Sequence, residues 1–198
     1  MHEHTIIDAD GVPRKRVNVY SGEHYVTAED RIISTLLGSC VAVCLYDPVT
    51  HVAGMNHFLL ANRRYAKDVP MVLSEAGRYG VNAMELLINA MMNRGADRRR
   101  LKAKAFGGGA VFDSANRNDA FMCVGEVNSR FILEFLKNEN IELLAADLGG
   151  SEGRVIHMHA RDFSVYMRKI KRMAAERVLK AEHQYWREAI EERERGMK

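Results

Sequence analysis

STLLGSCVAVCLYDPVTHVAGMNHFLL, residues Ser34–Leu60, is the stretch whose reading decides the fold. Val41, Val43 and Leu45 alternate with smaller or softer residues, and Val52 to Phe58 is a second apolar run, so both read as strands. Asp47-Pro48-Val49-Thr50 between them is turn chemistry: proline presets φ, and aspartate can bond to backbone two residues on. The stretch is therefore expected to be a β-hairpin. With residues 47–50 as its loop, Tyr46 pairs with His51 and Cys40 stands directly opposite His57. A slip of one residue would send the two side chains to opposite faces.

Cys40 and His57 are the best nucleophile and base the chain offers. A thiol at its ordinary pKa is mostly protonated at neutral pH and needs a neighbouring base, because the thiolate is the reactive form. Gly38 lets the backbone bend sharply before Cys40, which would aim the amides of Ser39 and Cys40 at a developing oxyanion. A cysteine on an apolar strand is otherwise a small buried hydrophobe. Gly-Ser before Cys40 and a histidine on the facing strand favour chemistry.

LGSCVAVCLYDP, GMNHFLL, RYGVNAMELLINAMM, KAKAFGGGAVF and LAADLGGSEGR occur in this order and spacing over roughly residues 15–170. In these motifs the chain resembles the chemoreceptor glutamine deamidase family, CheD. The resemblance implies hydrolysis of glutamine side-chain amides on methyl-accepting chemotaxis receptors, with Cys40 as nucleophile and His57 as general base. The family's third member is a threonine hydroxyl six residues before the cysteine; Ser34 holds that position here, with Thr35 beside it. Val127 stands where relatives carry the arginine of an arginine-asparagine pair, and Asn128 keeps the asparagine. No cofactor is implied. The receptor is the implied partner, and a CheC-type phosphatase of the same pathway is a second one. A non-catalytic regulatory module, or a cysteine hydrolase acting on another amide or ester, are the alternative functions.

At 198 residues the chain suits one sizeable core, and 47% hydrophobic with 28% charged residues is ordinary for a globular protein. A formal net charge of +3 is too small to point to nucleic acid. Three cysteines, Cys40, Cys44 and Cys123, form neither a disulfide framework nor zinc-finger spacing and suit a reducing cytoplasm. No apolar run reaches the eighteen or so residues of a membrane span, and Met1–Gly11 lacks a signal peptide's regions. An unanchored cytoplasmic protein is expected.

The expected fold is α/β: one domain with mixed or antiparallel sheets in a sandwich-like arrangement, flanked by two main helices. Residues 1–14 read as a flexible leader, 15–168 as the deamidase domain and 169–198 as a charged helical extension. Val17–Tyr20 and Tyr25–Thr27 suggest a short hairpin. Val81, Met84, Leu87, Ile88 and Met91 recur at helical period after Ser74 and stop at Gly95; Gly125–Leu136 is the second helix. Leu101–Phe106, Ile141–Ala146, Val155–His159 and Phe163–Met167 are the remaining strands. Arg63, Arg64 and Lys67 mark a basic loop, and Arg98-Arg99-Arg100 a solvated turn. Gly107-Gly108-Gly109 lacks the continuation of a P-loop and is expected to bring backbone close to the floor of the site. His157 and His159 share a strand face without a third metal ligand at suitable spacing.

Overall fold

The computed structural model describes residues 2–7, 10–60, 75–110 and 124–170, with positions 180, 184, 187, 188 and 191. Ala61, the basic loop with Arg63, Arg64 and Lys67, Ser74, Asp113, Cys123 and nearly all of the C-terminal extension lie outside the described residues.

Ten strands and two long helices are described: β1 His2–Ile7, β2 Pro13–Asn18, β3 His24–Thr27, β4 Arg31–Leu37, β5 Val41–Asp47, β6 Val52–Phe58, α1 Glu75–Met92, β7 Lys102–Gly107, α2 Val124–Asn138, β8 Glu142–Leu148, β9 Gly153–His159 and β10 Val165–Ile170. They build two mixed five-stranded sheets, ordered β1-β2-β4-β9-β10 and β3-β6-β5-β7-β8. The expected α/β domain with sandwiched sheets and two helices is what forms. Central strand β5 explains the layering. Val41, Val43 and Leu45 join Met84, Leu87, Ile88, Phe131 and Phe135 in one core, between the second sheet and the helices. Ala42, Cys44 and Tyr46 point the other way, meeting Ile33, Leu37, Ile156 and Met158 in a second core between the sheets. A strand buried on both faces needs apolar residues at successive steps, which is how β5 reads from Val41 to Tyr46.

Helix α1 carries its apolar row as expected and ends at Gly95, whose φ of 95° stops the helical path. Gly80, a poor helix former, has a packing reason. A Cβ there would sit 2.5 Å from the Phe131 ring, so glycine lets the two helices close over the sheet. The arginine run at 98–100 is matched rather than merely solvated: Arg98 meets Glu85 and Glu139, Arg99 meets Asp97, and Arg100 meets Asp47.

Three local expectations are corrected. The N-terminal residues 2–7, read as a flexible leader, form β1, antiparallel to β2 and tied to it by the Glu3–Lys15 ion pair and an Arg16 Nε to His4 Nε2 hydrogen bond. The segments around Val17 and Tyr25 are not partners in a hairpin. β2 pairs with β1 and β4, whereas β3 pairs with β6 in the other sheet. The link between them, turning at Gly22 with a φ of 83°, crosses the sandwich.

The third correction is the register of the central hairpin. Asp47 pairs with Val52 and the loop is Pro48 to His51, so Ala42, not Cys40, stands opposite His57. The shift amounts to two positions, and a shift of two keeps every side chain on its face. Asp47 is responsible. Its fully buried carboxylate accepts the Val49 and Asp97 amides and the Arg100 guanidinium, holding the residue inside the strand. His51 then takes the left-handed turn position at a φ of 53°.

Burial alone would raise the Asp47 pKa, but the Arg100 hydrogen bonds and the Asp97 and Val49 amides outweigh it and hold the carboxyl well below the usual carboxylate range. A depressed folded-state pKa contributes stability above the unfolded value and loses it as pH falls through the folded one. Arg100→Ala leaves that buried carboxylate short of its cation and should cost about 1–3 kcal/mol at neutral pH. Thermal unfolding across pH checks this: the gap from the parent protein should begin to narrow below about pH 4, where the unfolded chain protonates Asp47, and should go on closing toward the much lower folded-state value.

Candidate active site

The site lies where the chain passes from one sheet to the other. β4 belongs to the first sheet and β5 to the second, and Gly38-Ser39-Cys40 is the whole connection. So short a crossover leaves buried backbone groups that need partners. Gly109 N–H donates to Gly38 O at 2.8 Å and Gly108 N–H to Cys40 O at 2.7 Å. The glycine loop after β7 thus lies directly on the crossover, as its composition suggests. Gly107 has a φ of 118°, and a Cβ on it would sit 2.1 Å from Cys40 O. Only glycine fits there.

Asn128 of α2 secures the same crossover from the helical layer. Its Nδ2 donates to Ser39 O at 2.9 Å, and its Oδ1 accepts the Leu60 N–H at 2.9 Å. The side chain is fully buried. The family resemblance marks this asparagine but implies no contact for it. A lone asparagine on the apolar face of a predicted helix is the signal that could have marked it, since a buried amide must find partners.

Cys40 continues the β5 alternation onto the face that looks into the sandwich, where it packs in the same core as Ala42 and Cys44. Its Sγ lies 3.4 Å from Ser21 Oγ. His57 faces Ala42 across the β5–β6 ladder, so Cys40 and His57 are diagonal neighbours on one face. The imidazole is almost wholly buried. The β6 backbone carrying it is anchored through His57 N–H to Glu23 O and Gly22 N–H to His57 O.

Thr35 and Ser34 part company here. Thr35 points into the sandwich from β4: its hydroxyl donates to Val19 O at 2.6 Å and lies 2.8 Å from His57 Nδ1. With its one proton committed to Val19 O, Thr35 Oγ1 can only accept from the ring, so Nδ1 carries the hydrogen and Nε2 is the basic nitrogen of the neutral imidazole. Ser34, the next residue on an alternating strand, faces outward and pairs with His157 Nδ1 at 2.7 Å. The hydroxyl behind His57 is therefore that of Thr35, and Ser34 does not reach the ring. Strand alternation permits only one of two consecutive residues on a given face.

Cys44 is a built-in contrast. Burial pushes its thiol up to about 12, with Lys104 pulling slightly the other way, so it stays protonated and inert. His157 is engaged by Ser34, and His159 meets Tyr166 edge-on at 5.0 Å between ring centroids. Among the described residues no three of His, Cys, Asp and Glu are grouped to hold a metal ion. A cleft on the outer face of the first sheet is lined by Arg16, His157, His159, Arg161 and Tyr166, with neither Cys40 nor His57 in it.

A thiol and an imidazole on one sheet, backed by a hydroxyl from the sheet it packs against, are the parts of a cysteine hydrolase. Residues 59–169 match the family model described as CheD chemotactic sensory transduction. A "Probable chemoreceptor glutamine deamidase CheD 1" of Geobacter sulfurreducens is 49% identical over 178 residues, 90% of this chain and 89% of that protein. A "Probable chemoreceptor glutamine deamidase CheD 2" of Shewanella oneidensis is 46% identical over 182 residues, 90% of each chain. The chain belongs to the CheD family. The family-model match begins after His57, but alignments spanning nine-tenths of the chain take in the whole of Ser34–Leu60. Among solved structures, a Bacillus licheniformis protein, YfiH, aligns at 12% identity and a TM-score of 0.37 over 63% of this chain and 49% of that one, a likeness too slight to bear on function.

Gly107→Ala tests the packing of the crossover. It forces a side chain into the Cys40 carbonyl at a positive φ and should destabilise the protein by about 1–3 kcal/mol or more, whereas Gly95→Ala, with nothing within 4 Å of its Cβ, meets only the conformational penalty. Equal shifts of the two thermal midpoints would contradict the close approach.

Proposed function

We propose that this protein is a chemoreceptor glutamine deamidase, converting glutamine side chains of methyl-accepting chemotaxis receptors to glutamate with release of ammonia. The observation that carries the reading is the run Val19 O, Thr35 Oγ1, His57 Nδ1 on the sandwich face that also bears Cys40, in a chain whose relatives are named for this activity.

In role terms, His57 Nε2 takes the Cys40 thiol proton and the thiolate attacks the carboxamide carbon. The C=O π pair moves to oxygen, and the amides of Ser39 and Cys40 hold that oxyanion. As the C–N bond breaks, the imidazolium gives its proton to the departing nitrogen and ammonia leaves a thioester. Water, deprotonated by the same Nε2, opens the thioester to glutamate and returns the thiol. Thr35 fixes the tautomer throughout. No residue in this cycle needs a cofactor.

Cys40 is fully buried, so a glutamine side chain reaches Sγ only when part of the wall around it gives way. That condition suits an enzyme that acts on glutamine in a receptor helix and spares the free amino acid. A second partner, a CheC-type phosphatase, fits the same pathway and would bind the outer surface. The cytoplasm is the proposed setting: Cys40 and Cys44 are free thiols, and no helix among the described residues is long and apolar enough to cross a membrane.

Incubating a purified receptor fragment with the protein should add about 1 Da per glutamine converted through the acyl intermediate, read by mass spectrometry. Cys40→Ala should abolish the shift and the ammonia; full residual activity would remove the assignment. Should receptor signalling in cells instead survive Cys40→Ala intact, the chain acts as a regulatory binding module. Thr35→Val should lower kcat by about 10–100-fold through loss of the ring's acceptor, with Ser34→Ala within about threefold of the parent. The reverse order would return the orienting role to Ser34.

A further inference from the structure

Asn128 has no part in the reaction steps assigned above, yet the two hydrogen bonds by which it secures the crossover concern the reaction directly. Ser39 O and Cys40 N–H belong to one peptide unit, which is planar and trans, so the two groups point in opposite directions. Asn128 Nδ2 holds Ser39 O toward α2, in the helical layer beneath the second sheet. The Cys40 N–H must then face away from that layer, toward the sandwich side, where Cys40 packs and His57 presents its ring. Through Oδ1 the same amide holds Leu60, three residues beyond His57. One buried side chain thereby sets the oxyanion-donating peptide and the end of the base-bearing strand in a fixed relation.

We infer that Asn128 is the positioning residue of the oxyanion site: its carboxamide orients the Ser39–Cys40 peptide so that the Cys40 amide meets the oxygen that gains charge when the thiolate adds to the substrate carbonyl. This rests on Cys40 being the nucleophile. A backbone amide is an effective oxyanion donor only when it is aimed beforehand, because a peptide free to rotate loses the alignment when charge develops. Gly108 N–H on Cys40 O fixes the following peptide, so the units on both sides of the Cys40 Cα are held, one by a side chain and one by backbone.

Two reactions of the same sulfur separate this role from a merely structural one. Addition to an amide places charge on oxygen; alkylation by iodoacetamide forms a C–S bond as iodide leaves and places none. In Asn128→Asp, assayed near pH 8 where a carboxylate accepts but does not donate, Leu60 N–H keeps an acceptor and Ser39 O loses its donor. Deamidation of a receptor fragment should fall about 10²–10³-fold in kcat with little change in KM, while alkylation of Cys40, located by peptide mass, stays within about twofold of the parent. Asn128→Ser, too short to make both contacts, should behave alike and guards against misfolding of the charged variant. Proportional loss of both reactions would mean that Asn128 only holds the loop together, and unchanged deamidation would mean that it orients nothing; either overturns the inference. Failure of the nucleophile assignment shows itself separately, as deamidation persisting in Cys40→Ala with Asn128 intact.

Discussion

One hydroxyl bridges the two sheets at the point where chemistry is proposed. Thr35 Oγ1 spends its proton on Val19 O and its lone pair on His57 Nδ1, so a residue of the first sheet decides the tautomer of a ring on the second. The arrangement holds only because β4 and β6 face each other across a packed core. Ile33 and Leu37 flank Thr35 on the inward face of β4, and Met55 shares the inward face of β6 with His57. Packing there brings a buried hydroxyl and a buried imidazole within hydrogen-bond reach, and their pairing in turn removes two polar groups that would otherwise penalise the core.

The crossover at 38–40 obeys the same accounting. Three residues carry the chain from one sheet to the other, and their carbonyls fall in a region without water-facing backbone. Each finds a donor: Gly109 for Gly38, Asn128 for Ser39 and Gly108 for Cys40. Two donors come from a loop that must lie flat against the crossover, which explains glycine at 107; glycine at 108 answers to α2, where a Cβ would strike Ser129 and Gly125. The third comes from a helix on the far side of the second sheet, which explains a polar residue in an otherwise apolar row at 127, 131, 132 and 135. Satisfaction of buried carbonyls thus leaves little freedom in the backbone that presents the proposed nucleophile.

Much of this was legible in the chain. The 3.6-residue rows of α1 and α2 and the two apolar runs of the β5–β6 hairpin follow from local periodicity and turn chemistry, which act over a few residues; the place of the glycine loop beside Cys40 follows from the family resemblance. What failed depends on partners distant in sequence. The hairpin loop begins one residue later than its turn residues suggest because Arg100, 53 positions away, draws Asp47 into the strand. Val17 and Tyr25 lie on different sheets because Ile33 of β4 and Met55 of β6 offer them different neighbours. The choice between Ser34 and Thr35 needs the direction of a side chain, and counting back from Cys40 does not supply one. β1 was hidden for a related reason: an edge strand held by ion pairs and one half-buried isoleucine has almost no apolar signature.

A hydroxyl behind the histidine also fits the burial of this site better than a carboxylate would. Asp47 shows what a buried carboxylate requires here: an arginine and two backbone amides converge on it. Near His57 the same group would gain by stabilising the imidazolium but would first have to be desolvated, at a cost of several kcal/mol when its cation exists only transiently. Thr35 fixes the ring at nearly complete burial with both of its hydrogen bonds made and no charge to desolvate. The exchange sacrifices some stabilisation of the ion pair formed when the thiol gives up its proton. A site of this kind leans correspondingly harder on its oxyanion donors, and the crossover proposed to supply them is held at all three of its carbonyls.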